Sequence, residues 1–228
     1  AITSISIPES VTSIGAFAFS GSLLSSITIP SSVTSIEENV VRDTSVTSFT
    51  VDSYNENYAA VDGVLFNKDL STLISYPSGS SADSYSIPAS ATGIGSYAFY
   101  GATELTSVSI PAGLTSIGIN AFDGATALSS VTIPASVTSI GGQAFRNTTA
   151  LVSFTVDGAN PSYSSTSGVL FNKNSTTLIA YPLGKNNTFY AIPTSVTSIG
   201  DSAFYKATAL NSIVIPSSVT SIGRFAFS

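Results

Sequence analysis

Tyr85-Ser-Ile-Pro88, Leu105-Thr-Ser-Val-Ser-Ile-Pro111 and Leu128-Ser-Ser-Val-Thr-Ile-Pro134 place one Ile-Pro landmark at Ile87, Ile110 and Ile133, a step of 23 residues each time. Between landmarks runs a second constant element, Leu114-Thr-Ser-Ile-Gly118 with Ala121-Phe122, then Val137-Thr-Ser-Ile-Gly141 with Ala144-Phe145. A repeat of this length decides the architecture before any other reading. One such unit holds too few apolar residues to close a core alone, whereas stacked units share one. The chain is therefore expected to be a single solenoid over residues 1–228, with function carried on its surfaces.

Working outward, Ile7-Pro8 and Ile29-Pro30 continue the series toward the N-terminus, and Ile192-Pro193 and Ile215-Pro216 toward the C-terminus. The third unit is degenerate: Glu37-Glu38-Asn39-Val40-Val41 stands for Gly-x-x-Ala-Phe, and Val51-Asp52 for Ile-Pro. From Val51 the next landmark, Ile87, is 36 residues away, and Val156 to Ile192 repeats that interval. Two inserts, 52–86 and 157–191, fill these gaps. Each holds Val-Leu-Phe-Asn, a polar turn, and Leu-Ile-x-Tyr-Pro, which reads as a β-hairpin. Both inserts recur at an offset of 105 residues, and nine landmarks give about nine coils.

Within a coil, Val131-x-Ile133 is β-branched and alternating, so a short strand is expected there, ended by the missing N–H of Pro134. Gly15, Gly95, Gly118, Gly141, Gly200 and Gly223 suggest turns needing positive φ. Ala-Phe then reads as one short helical or 3-10 turn whose Phe plugs the core.

The pattern Leu-x-x-Ile-x-Ile-Pro-x-x-Val-Thr-Ser-Ile-Gly-x-x-Ala-Phe resembles the leucine-rich repeats of the BspA type across essentially the whole chain, and Asp62-Gly-Val-Leu-Phe-Asn67 also resembles family members. The resemblance implies a right-handed, mostly β leucine-rich repeat solenoid with short parallel strands on its concave face. It further implies an extracellular or cell-surface protein used in adhesion. Where the family carries Cys after Ala-Phe, this chain has Ala102, Ala125, Thr148 and Ala207, which keep the packing role.

Composition narrows the function. Charged residues make up 9% of the chain, against roughly 25% in ordinary domains, so Ser and Thr form the solubilising surface. A net charge of −6 with seven scattered basic residues argues against nucleic acid, which needs clustered cations. No run of 18 apolar residues exists, so no membrane insertion is expected. With no His and no Cys, the usual zinc ligands, the thiol nucleophile and the Ser-His-Asp triad are absent. We expect no enzyme, no catalytic residue, no cofactor and no metal. The one oxygen-rich cluster, Asp52, Asn55, Glu56, Asn57 and Asp62, loses its carboxylates in the second copy, where Pro161 and Ser167 replace Glu56 and Asp62.

Two surfaces remain as binding candidates. The outward positions of the Val-x-Ile strands form stacked rows of uncharged hydroxyls, with Ser86, Ser107, Ser109, Ser130, Thr132, Ser153 and Thr155 at their centre. Charges such as Glu104, Asp123, Arg146 and Lys206 follow Ala-Phe instead, on the far side. The rows are either a tolerant low-complexity surface or a flat face for an extracellular protein or glycan. The inserts concentrate aromatics, most of which, Phe66 and Phe171 included, are expected to pack onto the solenoid. Tyr58 and Tyr163 are expected to stand exposed as loop contacts. A passive spacer and a binder of ordered surfaces such as ice or crystalline polysaccharide are the alternative functions. Ile2 and Ile5 at one end and Phe225 and Phe227 at the other belong to coils with no polar cap. The native chain is accordingly expected to be a longer array, or to self-associate end to end.

Overall fold

The computed structural model describes residues 1–228 and consists of 21 strands of two to four residues with no helix. Two parallel ladders run along the stack. The first is built from the Val-x-Ile segments: Ser26–Ile29 pairs with Ser48–Val51, Ser84–Ser86 with Ser107–Ser109, Ser130–Ile133 with Ser153–Val156, and Phe189–Ala191 with Ser212–Val214. Register joins equivalent residues, Val131 to Phe154 and Ile133 to Val156, so every inward side chain lies over another inward one. The Ser130–Ile133 strand alternates exposed and buried as its sequence demands.

The second ladder lies at Thr-Ser-Ile, a segment for which the repeat predicts no strand. Gly93–Ile94, Ser116–Ile117 and Ser139–Ile140 pair in series, and Ser198–Ile199 pairs with Ser221–Ile222. A tight turn after the landmark, Val137 N–H to Pro134 C=O at 3.2 Å, swings the chain round. It then extends again for two residues.

The Gly-x-x-Ala-Phe segment corrects the expected helical turn. It is a run of turns crossing from coil to coil: Tyr97 N–H donates to Ile119 C=O at 2.9 Å, Phe99 to Ala121 at 2.7 Å, and Gly101 to Asp123 at 2.9 Å. Helix is impossible because the residue two after each glycine is left-handed, as at Tyr97, Asn120, Gln143 and Ser202, with φ of 52–60°. The glycines themselves do not take positive φ. Gly118 and Gly141 are small because coils touch there: a Cβ on Gly141 would lie 2.5 Å from Ile119 N, and one on Gly118 2.4 Å from Ser96 N.

Phe from successive coils forms a column down the core. Phe99, Phe122 and Phe145 stack at 4.8 and 5.5 Å with ring planes 8° apart, and Tyr76 and Tyr181 of the inserts take the same place beside Phe99 and Phe204. Ala102, Ala125 and Thr148 are buried beside the column.

The expected hairpins are present, Val64–Asn67 against Thr72–Ser75 and Val169–Asn172 against Thr177–Ala180. A further strand precedes each, Tyr58–Val61 and Tyr163–Thr166, making three-stranded meanders. The last strand of each meander joins the second ladder in parallel, Leu73 beside Ile94 and Leu178 beside Ile199. The inserts are therefore built into the stack. Their middle strands act as septa: Leu65 faces the core before it and Val64 and Phe66 the core after it, and Leu170, Val169 and Phe171 repeat this.

Candidate binding face

The first ladder carries the hydroxyl rows. Ser84 sits beside Ser107, Ser86 beside Ser109, Ser130 beside Ser153 and Thr132 beside Thr155. Ser86, Ser107, Ser109, Ser130, Thr132 and Thr155 are exposed. Ser153 is half-buried because the insert turn at Gly168 packs on it; a Cβ on Gly168 would lie 3.1 Å from the Ser153 Cβ. That turn also ends the ladder, with Phe154 N–H donating to Gly168 C=O at 2.9 Å. The inserts thus divide the rows into blocks, and residues 84–155 form the longest. In the last block Phe189, Ala191 and Val214 replace hydroxyls 105 residues earlier at Ser84, Ser86 and Ser109, and Phe189 and Val214 are about half exposed.

Hydroxyls elsewhere serve the fold. Thr115 Oγ1 donates to Thr92 C=O at 2.9 Å, Thr106 Oγ1 to Asp83 C=O at 2.8 Å, and Ser218 Oγ to Val196 C=O at 2.8 Å. Each ties one coil to its predecessor and satisfies a carbonyl lone pair that the ladder leaves open. Ser32, Thr47, Ser129 and Ser136 do the same. The seven central face residues make no such bond. Ser and Thr therefore fall into two populations, one consumed in coil-to-coil bonding and one left free toward solvent.

The tyrosines expected to stand exposed do not. Tyr58 is buried and its Oη accepts from Ile36 N–H at 2.8 Å; Tyr163 is half-buried and its Oη accepts from Ile140 N–H at 2.8 Å. Each caps a second-ladder strand at the point where the meander interrupts parallel pairing. Burial pushes the Tyr163 hydroxyl above the usual phenol range, with the Ile140 amide pulling the other way. Tyr163→Phe should destabilise the fold by about 1 kcal/mol, because the amide loses its acceptor. Chemical denaturation checks it, and an unchanged midpoint would show that water serves Ile140 instead. The exposed aromatic of the first insert is Tyr54, at 83% exposure.

The oxygen-rich cluster is also structural. Asn55 is wholly buried: its Nδ2 donates to Pro30 and Val33 carbonyls, and its Oδ1 accepts from Asn57 and Tyr58 amides. Asn160 repeats the arrangement. Asp52 Oδ1 accepts from Tyr54 N–H in a local turn.

Charge is concentrated on the Ala-Phe side. Arg146 Nη1 lies 3.1 Å from Asp123 Oδ2, and its guanidinium sits 4.0 Å over the Tyr205 ring. Burial raises the Asp123 carboxyl above its ordinary range, with Arg146 and the Asn120 amide opposing the shift. Arg42 stands over Tyr100 at 5.0 Å in the equivalent place. Both arginines clasp the coil before an insert to the coil after it.

A family model for the BspA type leucine rich repeat region matches in six copies over residues 1–79, 75–189 and 183–228. No curated protein sequence matches. Among solved structures the chain is similar to a leucine-rich repeat protein from Eubacterium ventriosum, with 26% identity and a TM-score of 0.73 over 97% of this chain and 63% of that one. It is also similar to the pneumococcal vaccine antigen PcpA, with 28% identity and a TM-score of 0.68 over 96% and 54%. A leucine rich cell surface protein from Faecalibacterium prausnitzii matches with 28% identity and a TM-score of 0.67 over 95% and 62%. The chain thus spans between 54% and 63% of these proteins' lengths.

Proposed function

The chain belongs to the BspA-type leucine-rich repeat family, and from that premise we propose that it is a non-enzymatic adhesion module. It works outside the cell or on its surface, engaging an extracellular protein or glycan through the hydroxyl rows of residues 84–155. The observation that carries this reading is the division of the hydroxyls. Wherever Ser or Thr supports the stack, its oxygen bonds the preceding coil. On the first ladder Ser86, Ser107, Ser109, Ser130, Thr132, Ser153 and Thr155 make no such bond, and all but the half-buried Ser153 face solvent. A rigid array of uncharged donors and acceptors gives directional bonds without the desolvation cost of buried charge. Membership of a family with solved bacterial surface relatives supports the location.

The test is a screen of the purified chain against glycans and extracellular-matrix proteins, beside a variant carrying Ser109→Lys, Thr132→Lys and Thr155→Lys. Binding that this variant loses supports the reading, and binding that survives moves the contact off the face. Thr132 and Thr155 are direct cross-strand partners, so like charge there should cost stability only about 1 kcal/mol or less. A thermal melt confirms that the variant is folded.

A further inference from the structure

The coil built from the second insert is two residues short on the turn side. A regular coil runs Ile117-Gly-Ile-Asn-Ala-Phe122, whereas the insert runs Leu178-Ile-Ala-Tyr181. Leu178 holds the ladder position beside Ile199, and Tyr181 holds the aromatic position beside Phe204. The two residues omitted are the equivalents of Ile119 and Asn120.

In the regular coil the peptide unit joining those two residues bridges its neighbours. Ile119 C=O accepts from Tyr97 N–H at 2.9 Å, and Asn120 N–H donates to Gly142 C=O at 3.2 Å. The equivalent groups flanking the short coil are Gln143 N–H on one side and Asp201 C=O on the other. Neither has a hydrogen-bond partner, and Phe145 N–H and Asn147 N–H also stand free. Between them lies a cleft of about 270 Å³ whose walls include Gly142, Gln143, Ile179, Leu183, Asp201 and Ser202. Ser202 is 8% exposed and its Oγ is buried without a partner; Arg146 Nε, at the same cleft, is likewise unpaired. Buried polar groups ordinarily find partners, so this concentration of free donors with one free acceptor describes what is missing.

We propose that the cleft binds an extended peptide of a second protein, one trans amide of which takes the vacant rung. That amide accepts from Gln143 N–H and donates to Asp201 C=O, as Ile119–Asn120 does between its own neighbours. In a regular coil the donors equivalent to 143, 145 and 147 meet three alternate main-chain carbonyls, those of Ile119, Ala121 and Asp123, so a peptide supplies acceptors of the kind this edge already pairs with elsewhere. The walls at Gly142, Gly200 and Ala203 leave room for small side chains, and Ile179 and Leu183 favour apolar ones. The first insert is a built-in contrast. It omits the same two residues, but Glu37 and Glu38 stand where the second has Gly141 and Gly142, and its cleft is about 160 Å³.

Titration of the ¹⁵N-labelled chain with acetyl-trialanine amide tests the proposal. The expected result is saturating shifts of the Gln143, Phe145 and Ser202 amides with Kd of about 1 mM or tighter, while Asn120 and Phe122, already paired, stay still. Gly142→Glu copies the narrower cleft at a position whose Cβ meets nothing within 4 Å, and should weaken binding about tenfold or more. Inserting Gly-Ala between Ile179 and Ala180 restores the full coil and should abolish binding. The proposal is overturned if the peptide leaves Gln143 and Phe145 unmoved, or if Gly142→Glu binds as well as the parent. It is also overturned if N-acetylglucosamine shifts these amides and the peptide does not.

Discussion

Phe122→Ala is expected to cost the fold about 3–5 kcal/mol, the range of large-to-small changes at sites that cannot collapse. Phe122 is fully buried and its ring is covered on both faces, by Phe99 at 4.8 Å and Phe145 at 5.5 Å. Neither neighbour can move into the space. Phe99 is held by its rung to Ala121 at 2.7 Å, and Phe145 by Phe154, which meets it edge-on at 4.9 Å. The stacked contacts add to the loss of buried area. Phe145→Ala should cost less, because Phe145 is 6% exposed and meets Phe154 edge-on where the column ends at the insert. Repeat arrays can open in parts, so equilibrium denaturation belongs with amide exchange. The septa at Val64–Phe66 and Val169–Phe171 separate three core clusters, and faster exchange should be centred on the block between them. A loss below about 1 kcal/mol would remove Phe122 from the core column.

The parts of the fold that were legible in the sequence are those written as periodicity. Val131-x-Ile133 alternates over enough residues to declare its inward face, and the 23-residue step then sets the register. The second ladder is not legible in the sequence because Ser139–Ile140 is two residues long, too short to show any period. The glycines misled for a related reason. Gly141 is small because Ile119 lies against it, a contact set by a residue 22 positions earlier. Local sequence offers only glycine's freedom of φ, and that freedom is not used there. The left-handed position falls instead on Tyr97, Asn120 and Gln143, of which only Asn has any preference for it; coil-to-coil hydrogen bonds impose it on the others. Burial of Tyr58 and Tyr163 could have been found from the chain itself. Asn55-x-x-Tyr58 and Asn160-x-x-Tyr163 survive in both copies, although Glu56 and Asp62 between and after them do not. Residues kept between two copies in one chain mark what the junction needs. The hydroxyl rows were legible as rows, but their split into bonded and free populations depends on the distance to the preceding coil.

Asn160→Ala should cost about 3–5 kcal/mol, although it removes little apolar surface. Asn160 is wholly buried and makes four hydrogen bonds. Its Nδ2 donates to Pro134 C=O at 2.7 Å and Val137 C=O at 2.9 Å, and its Oδ1 accepts from Ser162 and Tyr163 amides at 2.8 Å each. Alanine leaves Val137 C=O and two N–H groups without partners, and Pro134 C=O with Val137 N–H alone, where the parallel ladder gives way to the antiparallel meander. Unsatisfied buried groups cost about 1–3 kcal/mol each before relaxation. Tyr163, whose hydroxyl caps Ile140, is anchored through the same side chain, so the damage spreads to the ladder end. Asn160→Asp separates hydrogen bonding from packing, since shape is kept while the donor amide becomes an oxygen facing two carbonyls. Burial among those carbonyls holds the new carboxyl's folded pKa above its unfolded value near 4. The variant should accordingly be more stable below that value and lose stability as pH rises through the folded pKa. Denaturant midpoints of parent and both variants between about pH 4 and pH 7 decide the matter. A loss under about 1 kcal/mol for alanine, or a pH-independent aspartate variant, would mean that water holds the junction instead of Asn160.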